Sequence, residues 1–364
     1  MKKLAISLLA LGLMQVGAAR AQDITIALVG PITGANAAFG EQMQHGAEAA
    51  VKAINAKGGV MGKKFNLLVG DDACDPKQAV SVANQMAGKK VVAIIGHFCS
   101  GSSIPASNVY AEEGILQITP ASTNPQFTER GLTNVFRTCG RDDQQGKVGA
   151  EYIAKNFKGK PVAVVDDKSA YGKGLADEAR KNLKALGVAI TLDEQINAGE
   201  KDFSALVAKM KQANVAVVYF GGYQVEAGLI TRQARAAGLQ AQIMAGDALA
   251  TKEFWQIAGP AGEGFIFTNG PDTRTLPSAK DAVAEFRKGG YEPEGYTLYT
   301  YAAVQALAQA IEKSKSTKLA DLTKALHANK FDTVNGQIGF DQKGDLVGAG
   351  YVFFKWHDGD YKQM

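Results

Sequence analysis

Short runs of β-branched residues alternate with stretches of helical periodicity along almost the whole chain. That alternation restricts the fold more than any other feature. ITIALVG (24–30) precedes a helical pattern near 40–56, where Met43, Ala47, Ala50, Val51 and Ile54 share one face. FNLLVG (65–70) leads to Asp75, suited to an N-cap, and Pro76, suited to the first helical position. VVAIIG (91–96), a serine-rich turn, a helix to about Gly114 and LQIT (116–119) complete a βαβαβαβ series. Such a series predicts a parallel sheet with right-handed crossovers. After a helix near 143–157 the pattern restarts with PVAVVDD (161–167) and a helix from Tyr171 to Gly187. AITLDEQI (189–196), a helix at 203–213, VAVVYFGG (215–222), a helix to Gly238, QIMAGDA (242–248) and FIFTN (265–269) follow. Two such units read as two α/β lobes. Residues 277–289, 297–313 and 319–328 are again helical in pattern, and GQIGFDQKGD and YVFFKWHDGDY read as short strands with turns. Helices after a complete α/β series imply that the chain returns to finish a lobe already begun, so several crossings should join the lobes.

Composition narrows the function. With 46% hydrophobic and 21% charged residues the chain is globular rather than disordered. Lys and Arg number 40 against 36 Asp and Glu, too balanced for a nucleic-acid surface. Residues 1–21 carry Lys2 and Lys3, an apolar run from Leu4 to Leu13, and the ending Ala19-Arg20-Ala21. This describes a secretory signal peptide cleaved after Ala21, against the alternative of an uncleaved anchor. Losing Lys2, Lys3 and Arg20 takes the formal charge from +4 to +1. Export would place the cysteines in an oxidising compartment. Cys74 and Cys99 each follow a strand-like run, so parallel pairing would bring them to one sheet edge within bridging distance. The alternative is a Cys99 nucleophile assisted by His97. Cys139 is left over, expected buried and inert.

Ligands of parallel α/β sheets bind at the carboxyl ends of the strands. GPITGANAAFGEQ (30–42) is glycine-rich but is neither a dinucleotide fingerprint nor a phosphate loop, and Phe39 is its one bulky side chain. HFCSGSS (97–103) offers an aromatic ring and serine hydroxyls before a helix, where a carboxylate is favoured, although a serine N-cap accounts for part of the pattern. TPASTNP (119–125) adds Ser122 and Thr123. In the second unit DKSAYGKG (167–174), FGGYQVE (220–226) and AGDA (245–248) place Tyr171, Tyr223 and Asp247 at three strand ends, with Asp247 a counter-charge for an ammonium. No H-E-x-x-H, C-x-x-C or G-x-S-x-G motif occurs, which disfavours metal and hydrolase chemistry.

DDACDPKQAV (71–80), IGHFCS (95–100), EGILQITPAST (113–123) and AGEKDFSALV (198–207) resemble the periplasmic leucine/isoleucine/valine-binding proteins, as do GGY (221–223), RQARAAGL (232–239) and FDQKGDL (340–346). The resemblance spans the whole chain after Ala21. It implies an α/β type I periplasmic binding fold: two doubly wound parallel-sheet lobes joined by three hinge crossings. The lobes would comprise 22–141 with 270–348, and 142–269 with 349–364. It further implies a monomeric, non-catalytic periplasmic protein without cofactor or metal, delivering a free amino acid to the membrane permease of an ABC importer. Alternatives are the same scaffold taking alanine, proline or a γ-amino acid, or serving as a sensory ligand-binding module. By resemblance, Ser100 and Thr123 contact the carboxylate, while the Ala121 carbonyl, Thr123 and Asp247 contact the ammonium. Tyr171 and Tyr223 close over the ligand, and Phe39, Phe98 and Tyr296 form the side-chain pocket. The family also has a disulfide matching Cys74 and Cys99. Three departures stand out. Phe39 replaces Tyr or Trp, Phe98 replaces Leu or Val, and Asp247 replaces Glu.

Overall fold

The computed structural model describes residues 23–364, so the predicted signal peptide at 1–21 lies outside the described residues. The first unit contains β1 (Ile24–Gly30), α1 (Ala37–Ala56), β2 (Phe65–Asp71), α2 (Pro76–Gly88), β3 (Ala93–Gly96), α3 (Ser100–Glu112), β4 (Leu116–Thr119), α4 (Gln126–Glu129) and β5 (Val135–Arg137). The second contains α5 (Asp142–Asn156), β6 (Val162–Asp166), α6 (Ala170–Ala185), β7 (Ile190–Gln195), α7 (Ser204–Gln212), β8 (Val217–Gly221), α8 (Gln224–Ala236), β9 (Gln242–Ala245), α9 (Glu253–Ala258) and β10 (Ile266–Asn269). The remainder is α10 (Lys280–Lys288), α11 (Thr297–Ser314), α12 (Leu319–Ala328), β11 (Lys330–Thr333), β12 (Gly336–Gly339), β13 (Val352–His357) and β14 (Asp360–Gln363).

Two sheets result. The first has the order β2-β1-β3-β4-β5 and is parallel throughout. The second runs β14-β13-β10-β9-β8-β6-β7, parallel from β10 to β7, with the β13–β14 hairpin added antiparallel at one edge. The central strands β6 and β8 are buried along their whole length, as helices on both faces require, whereas edge strand β7 alternates half-buried and exposed residues. Asp75 caps α2 as its sequence predicts, its carboxylate accepting from the Lys77 and Gln78 amides at 2.8 Å. In the tail, α11 packs against α1 and so returns to the first sheet, whereas β13 pairs with β10 of the second.

Several expectations need correction. α1 begins at Ala37, so Phe39 sits in a first helical turn rather than on a loop. The helix predicted over 277–289 opens as a 3₁₀ turn at Pro277–Ala279 and continues as α10, and a separate 3₁₀ turn at Thr273–Thr275 precedes it. Strands β5 and β11 escape the periodicity because each has only three or four residues and carries charge. In β5 the charge is Arg137, fully buried because every arm of its guanidinium is used. Its Nε donates to Asp345 at 2.6 Å, Nη1 to the Ser122 carbonyl at 2.6 Å, and Nη2 to the Asn124 carbonyl and the Thr128 hydroxyl. Arg141 grips the other oxygen of Asp345 at 2.6 Å, tying the passage after β5 to the passage before β13. Against burial, the Arg137 charge, then the hydrogen bond and charge of Arg141 and the hydrogen bond from Thr128, hold the Asp345 carboxyl below the usual carboxylate range.

Cys74 and Cys99 form a disulfide with Cα atoms 5.5 Å apart. His97 is unavailable to any thiol: its Nδ1 meets Asp72 at 2.6 Å and its Nε2 meets the Tyr110 hydroxyl at 2.9 Å, all three side chains being buried. The nucleophile alternative therefore falls. Cys139 is the buried free thiol, its pKa raised by burial. Thiol titration in denaturant should find one reactive thiol per chain without reductant and three with it; three in both conditions would refute the bridge. Replacing Cys74 and Cys99 by serine should lower the unfolding free energy by about 3 kcal/mol, measured by urea titration.

Candidate ligand-binding site

Both sheets reverse their strand order, and the reversals determine where a crevice can open. In the first sheet β1 lies between β2 and β3, so the segments leaving β1 and β3 diverge to opposite sides. Those segments carry Phe39 and Phe98, whose rings stack with centroids 4.4 Å apart. In the second sheet β6 lies between β7 and β8, and the segments leaving β6 and β8 carry Tyr171 and Tyr223, with centroids 5.1 Å apart. Phe98 approaches Tyr223 at 6.3 Å, so the aromatic pairs of the two switch points meet across the gap between the sheets. A narrow cavity lies there, walled by Phe98, Ser100 and Ala121 from one side and by Tyr171, Tyr223, Asp247 and Ala248 from the other, with Tyr296 closing the edge.

The wall from the first unit is shaped by hydroxyl groups that never face the cavity. Gly96, with φ +141°, brings the chain so close to β1 that a Cβ would lie 2.0 Å from the Val29 carbonyl. Beyond it, Thr119 Oγ1 donates to the His97 carbonyl at 2.6 Å and accepts the amides of Ala121 and Ser122. Ser122 Oγ lies 2.7 Å from Ser103 Oγ and donates to the Phe98 carbonyl at 2.9 Å. Ser122, expected at the site, thus stitches two loops together and is absent from the cavity wall. The expected serine N-cap is also corrected: Cys99 occupies the cap position without a side-chain bond, and Ser100 opens α3. Ser100 Oγ accepts the Asn124 amide at 3.3 Å, leaving its proton to donate. Thr123 lies behind the wall, its hydroxyl buried without a hydrogen-bonding partner. The start of a 13-residue helix beside a free hydroxyl suits a carboxylate.

The opposite wall is built around Asp247. Its Oδ1 accepts from the Tyr171 hydroxyl at 2.8 Å and its Oδ2 from the Tyr296 hydroxyl at 2.7 Å. Among the described residues no Lys or Arg pairs with it, and it is only 2% exposed. Burial raises its pKa, while the Tyr296 and Tyr171 hydrogen bonds pull the other way. Gly246 allows this clamp, since a Cβ there would stand 2.5 Å from the Tyr171 hydroxyl. Tyr296, assigned by resemblance to the side-chain pocket, does double duty: its hydroxyl holds Asp247 and its ring meets Phe98 edge-on at 5.0 Å. Phe39 stands one layer back, stacked behind Phe98. Sequence reasoning missed Ala248 on the wall and Asp142 behind it. Asp142 is a fully buried carboxyl with neither oxygen bonded, and burial and then Asp247 push its pKa well up. Nothing in the string RDDQQG distinguishes Asp142 from its half-buried, ion-paired neighbour Asp143.

The comparisons with known proteins agree with this geometry. The family model described as periplasmic binding protein matches residues 23–360. A Leu/Ile/Val-binding protein homolog of Brucella melitensis is 53% identical, over 93% of this chain and 91% of its own. The chain belongs to this family of binding proteins. An amino acid binding protein of Pseudomonas aeruginosa is 50% identical, over 94% of this chain and 92% of its own. Among solved structures, a leucine binding protein from Thermotoga maritima superposes with a TM-score of 0.87 at 30% identity, covering 94% of this chain and 97% of that one. A branched-chain amino acid transporter substrate binding protein from Streptococcus pneumoniae, in complex with isoleucine, gives 0.84 at 28% identity, covering 94% and 99%. The type I periplasmic binding fold follows, in a family of binders rather than enzymes.

A second carboxyl, Asp167 after β6, supplies a pH signature. Its Oδ1 accepts the Ser169 amide at 2.9 Å while its Oδ2 is buried without a partner, and burial pushes its pKa to about 6. Because this exceeds the ordinary 3.8, Asp167 favours the folded state at low pH, and that contribution is lost as pH rises from 3.8 through about 6. Asp167→Asn should flatten this slope and raise stability at pH 7 by roughly 3 kcal/mol at most. Urea unfolding at stepped pH measures it, and an unaltered slope contradicts the assignment.

Proposed function

We propose that this chain is the periplasmic substrate-binding component of an ABC importer for branched-chain or other small neutral amino acids, and that it closes on the zwitterion by a hinge. The observation that carries the reading is the opposition of charges across one cavity. On one wall stand the start of α3 with the free proton of Ser100, suited to a carboxylate; on the other a buried carboxylate, Asp247, held only by tyrosine hydroxyls. Burying a zwitterion is unfavourable unless each end finds partners, and this arrangement provides them. The Ala121 carbonyl adds a head-group contact from the first wall, and Tyr171 and Tyr223 close from the second unit. We place the lobes at 22–141 with 270–348 and at 142–269 with 349–364, so that the hinge lies at three passages. Ligand would shift the population towards the closed form because the second wall is engaged only on closing. The names of the relatives support branched-chain amino acids as ligand and a transporter as partner, and residues 1–21 support export.

A second reading, the same scaffold taking alanine, proline or a γ-amino acid, is favoured by Phe98 and Asp247. The Phe98 ring, backed by Phe39 and crossed by Tyr296, fills space where a branched side chain would extend, and the cavity is small. The two readings separate in a thermal-shift panel of L-leucine, L-valine, L-alanine, L-proline and γ-aminobutyrate. Phe98→Leu should improve leucine relative to alanine in calorimetry, and a constant ratio would mean Phe98 does not limit the pocket.

Asp247→Asn tests the head-group assignment itself. It should weaken binding of the best ligand by about a hundredfold, since an ammonium loses a buried counter-charge. The melting temperature without ligand should not fall, because burial already disfavours that carboxylate. Undiminished affinity would reject the ammonium role.

A further inference from the structure

Three amide side chains join the two units around the cavity without lining it. Gln42 on α1 is 2% exposed; its Nε2 donates to the Ala250 carbonyl beyond β9 at 3.1 Å, and its Oε1 accepts the Tyr296 amide at 2.9 Å. Asn124, beyond β4, donates from Nδ2 to the Ala170 carbonyl at the start of α6 at 2.6 Å. Gln224, fully buried at the start of α8, donates from Nε2 to the Ala35 carbonyl between β1 and α1 at 2.9 Å. In each pair one partner belongs to an element of the first sheet and the other to an element of the second. Each acceptor is a main-chain carbonyl, so the bond registers the position of the opposite backbone and nothing about a ligand.

We infer that Gln42, Asn124 and Gln224 are positioning residues: latches that set the open–closed equilibrium and so scale the affinity for every ligand alike. The inference rests on the proposed closure around an amino acid. Apparent affinity equals intrinsic affinity multiplied by the fraction of molecules able to bind, so a contact made only on closing changes all dissociation constants by one factor. Residues on the wall behave differently, because they meet parts of the ligand that vary. A net hydrogen bond of ordinary strength corresponds to a change of about three- to tenfold. The geometry also separates the three positions. Asn124 and Gln42 each hold a second backbone contact, through Asn124 Oδ1 to the Gln126 amide and Gln42 Oε1 to the Tyr296 amide. Apart from the bond to Ala35, Gln224 bonds only a side chain, Glu253, at 2.9 Å, making it the cleanest probe.

The test is calorimetry of L-leucine and L-alanine on the full chain and on Gln224→Ala and Asn124→Ala, with melting temperatures checked without ligand. Both variants should weaken both amino acids by the same three- to tenfold factor, with faster dissociation and an unaltered leucine-to-alanine ratio. Unchanged affinity, or a loss confined to one amino acid, overturns the inference. Closed fraction without ligand is read separately by single-molecule energy transfer between dyes at Lys64→Cys and Lys201→Cys, two exposed positions on the two units. A variant with the wild-type closed fraction also overturns it. Should the wild type bind neither amino acid while the variants still lower the closed fraction, the latches stand and the functional reading fails.

Discussion

A carboxylate sealed between two sheets without a bonded cation is the constraint around which the cleft is organised. Asp247 retains two tyrosine hydroxyls and nothing of opposite charge at hydrogen-bonding distance. Hydroxyl donors stabilise a buried anion without neutralising it, so the site holds an unspent attraction for a small cation. Tyr171 comes from the same unit as Asp247, whereas Tyr296 introduces α11, which packs against α1 on the other side. The clamp on the carboxylate therefore spans both halves of the molecule. Burial keeps both phenols neutral and donating, because their ionised forms would face Asp247 in a dry site.

Aromatic rings do for shape what Asp247 does for charge. A switch point sends consecutive connections to opposite faces of a sheet, leaving a crevice that only loop side chains can fill. Here each sheet fills its crevice with a pair of rings, Phe39 with Phe98 and Tyr171 with Tyr223, and the pairs face each other. Rings bury much area with few rotatable bonds, so they define a narrow space without a large ordering cost. Phe98, backed by Phe39, lines one side of the cavity, and Tyr171 and Tyr223 line the other.

Behind these walls lies a layer of polar groups that do not line the cavity. Thr119, Ser122, Ser103 and Arg137 between them hold the carbonyls of His97, Phe98, Ser122 and Asn124, and these carbonyls bracket the residues of the first wall. Arg137 can be buried whole because four acceptor atoms share its charge, including one from an Asp345 that arrives 208 residues later. The buried Asp72–His97–Tyr110 chain serves the same end beneath the turn at Gly96. Satisfied networks of this kind fix loop geometry more firmly than apolar contacts, which tolerate sliding.

Most of the elements and their order, the two α/β units and the strand-end loops were legible from residue pattern, since periodicity and turn chemistry are local properties. Phe98, Tyr171, Tyr223 and Asp247 were legible because parallel sheets expose their carboxyl ends, whatever the details. Ser122 and Thr123 were assigned less well, since neither lines the cavity: whether a hydroxyl turns towards a cavity or away from it depends on atoms that are distant in sequence. Asp142, Arg137 and the three amides bridging the units left no signal, because an isolated charged or amide residue looks the same in a string whether solvent or another lobe meets it. Local sequence determined which elements form and in what order. Tertiary structure alone decided which polar atoms meet, since hydrogen bonds between distant segments exist only once the backbone has brought their partners within about 3 Å.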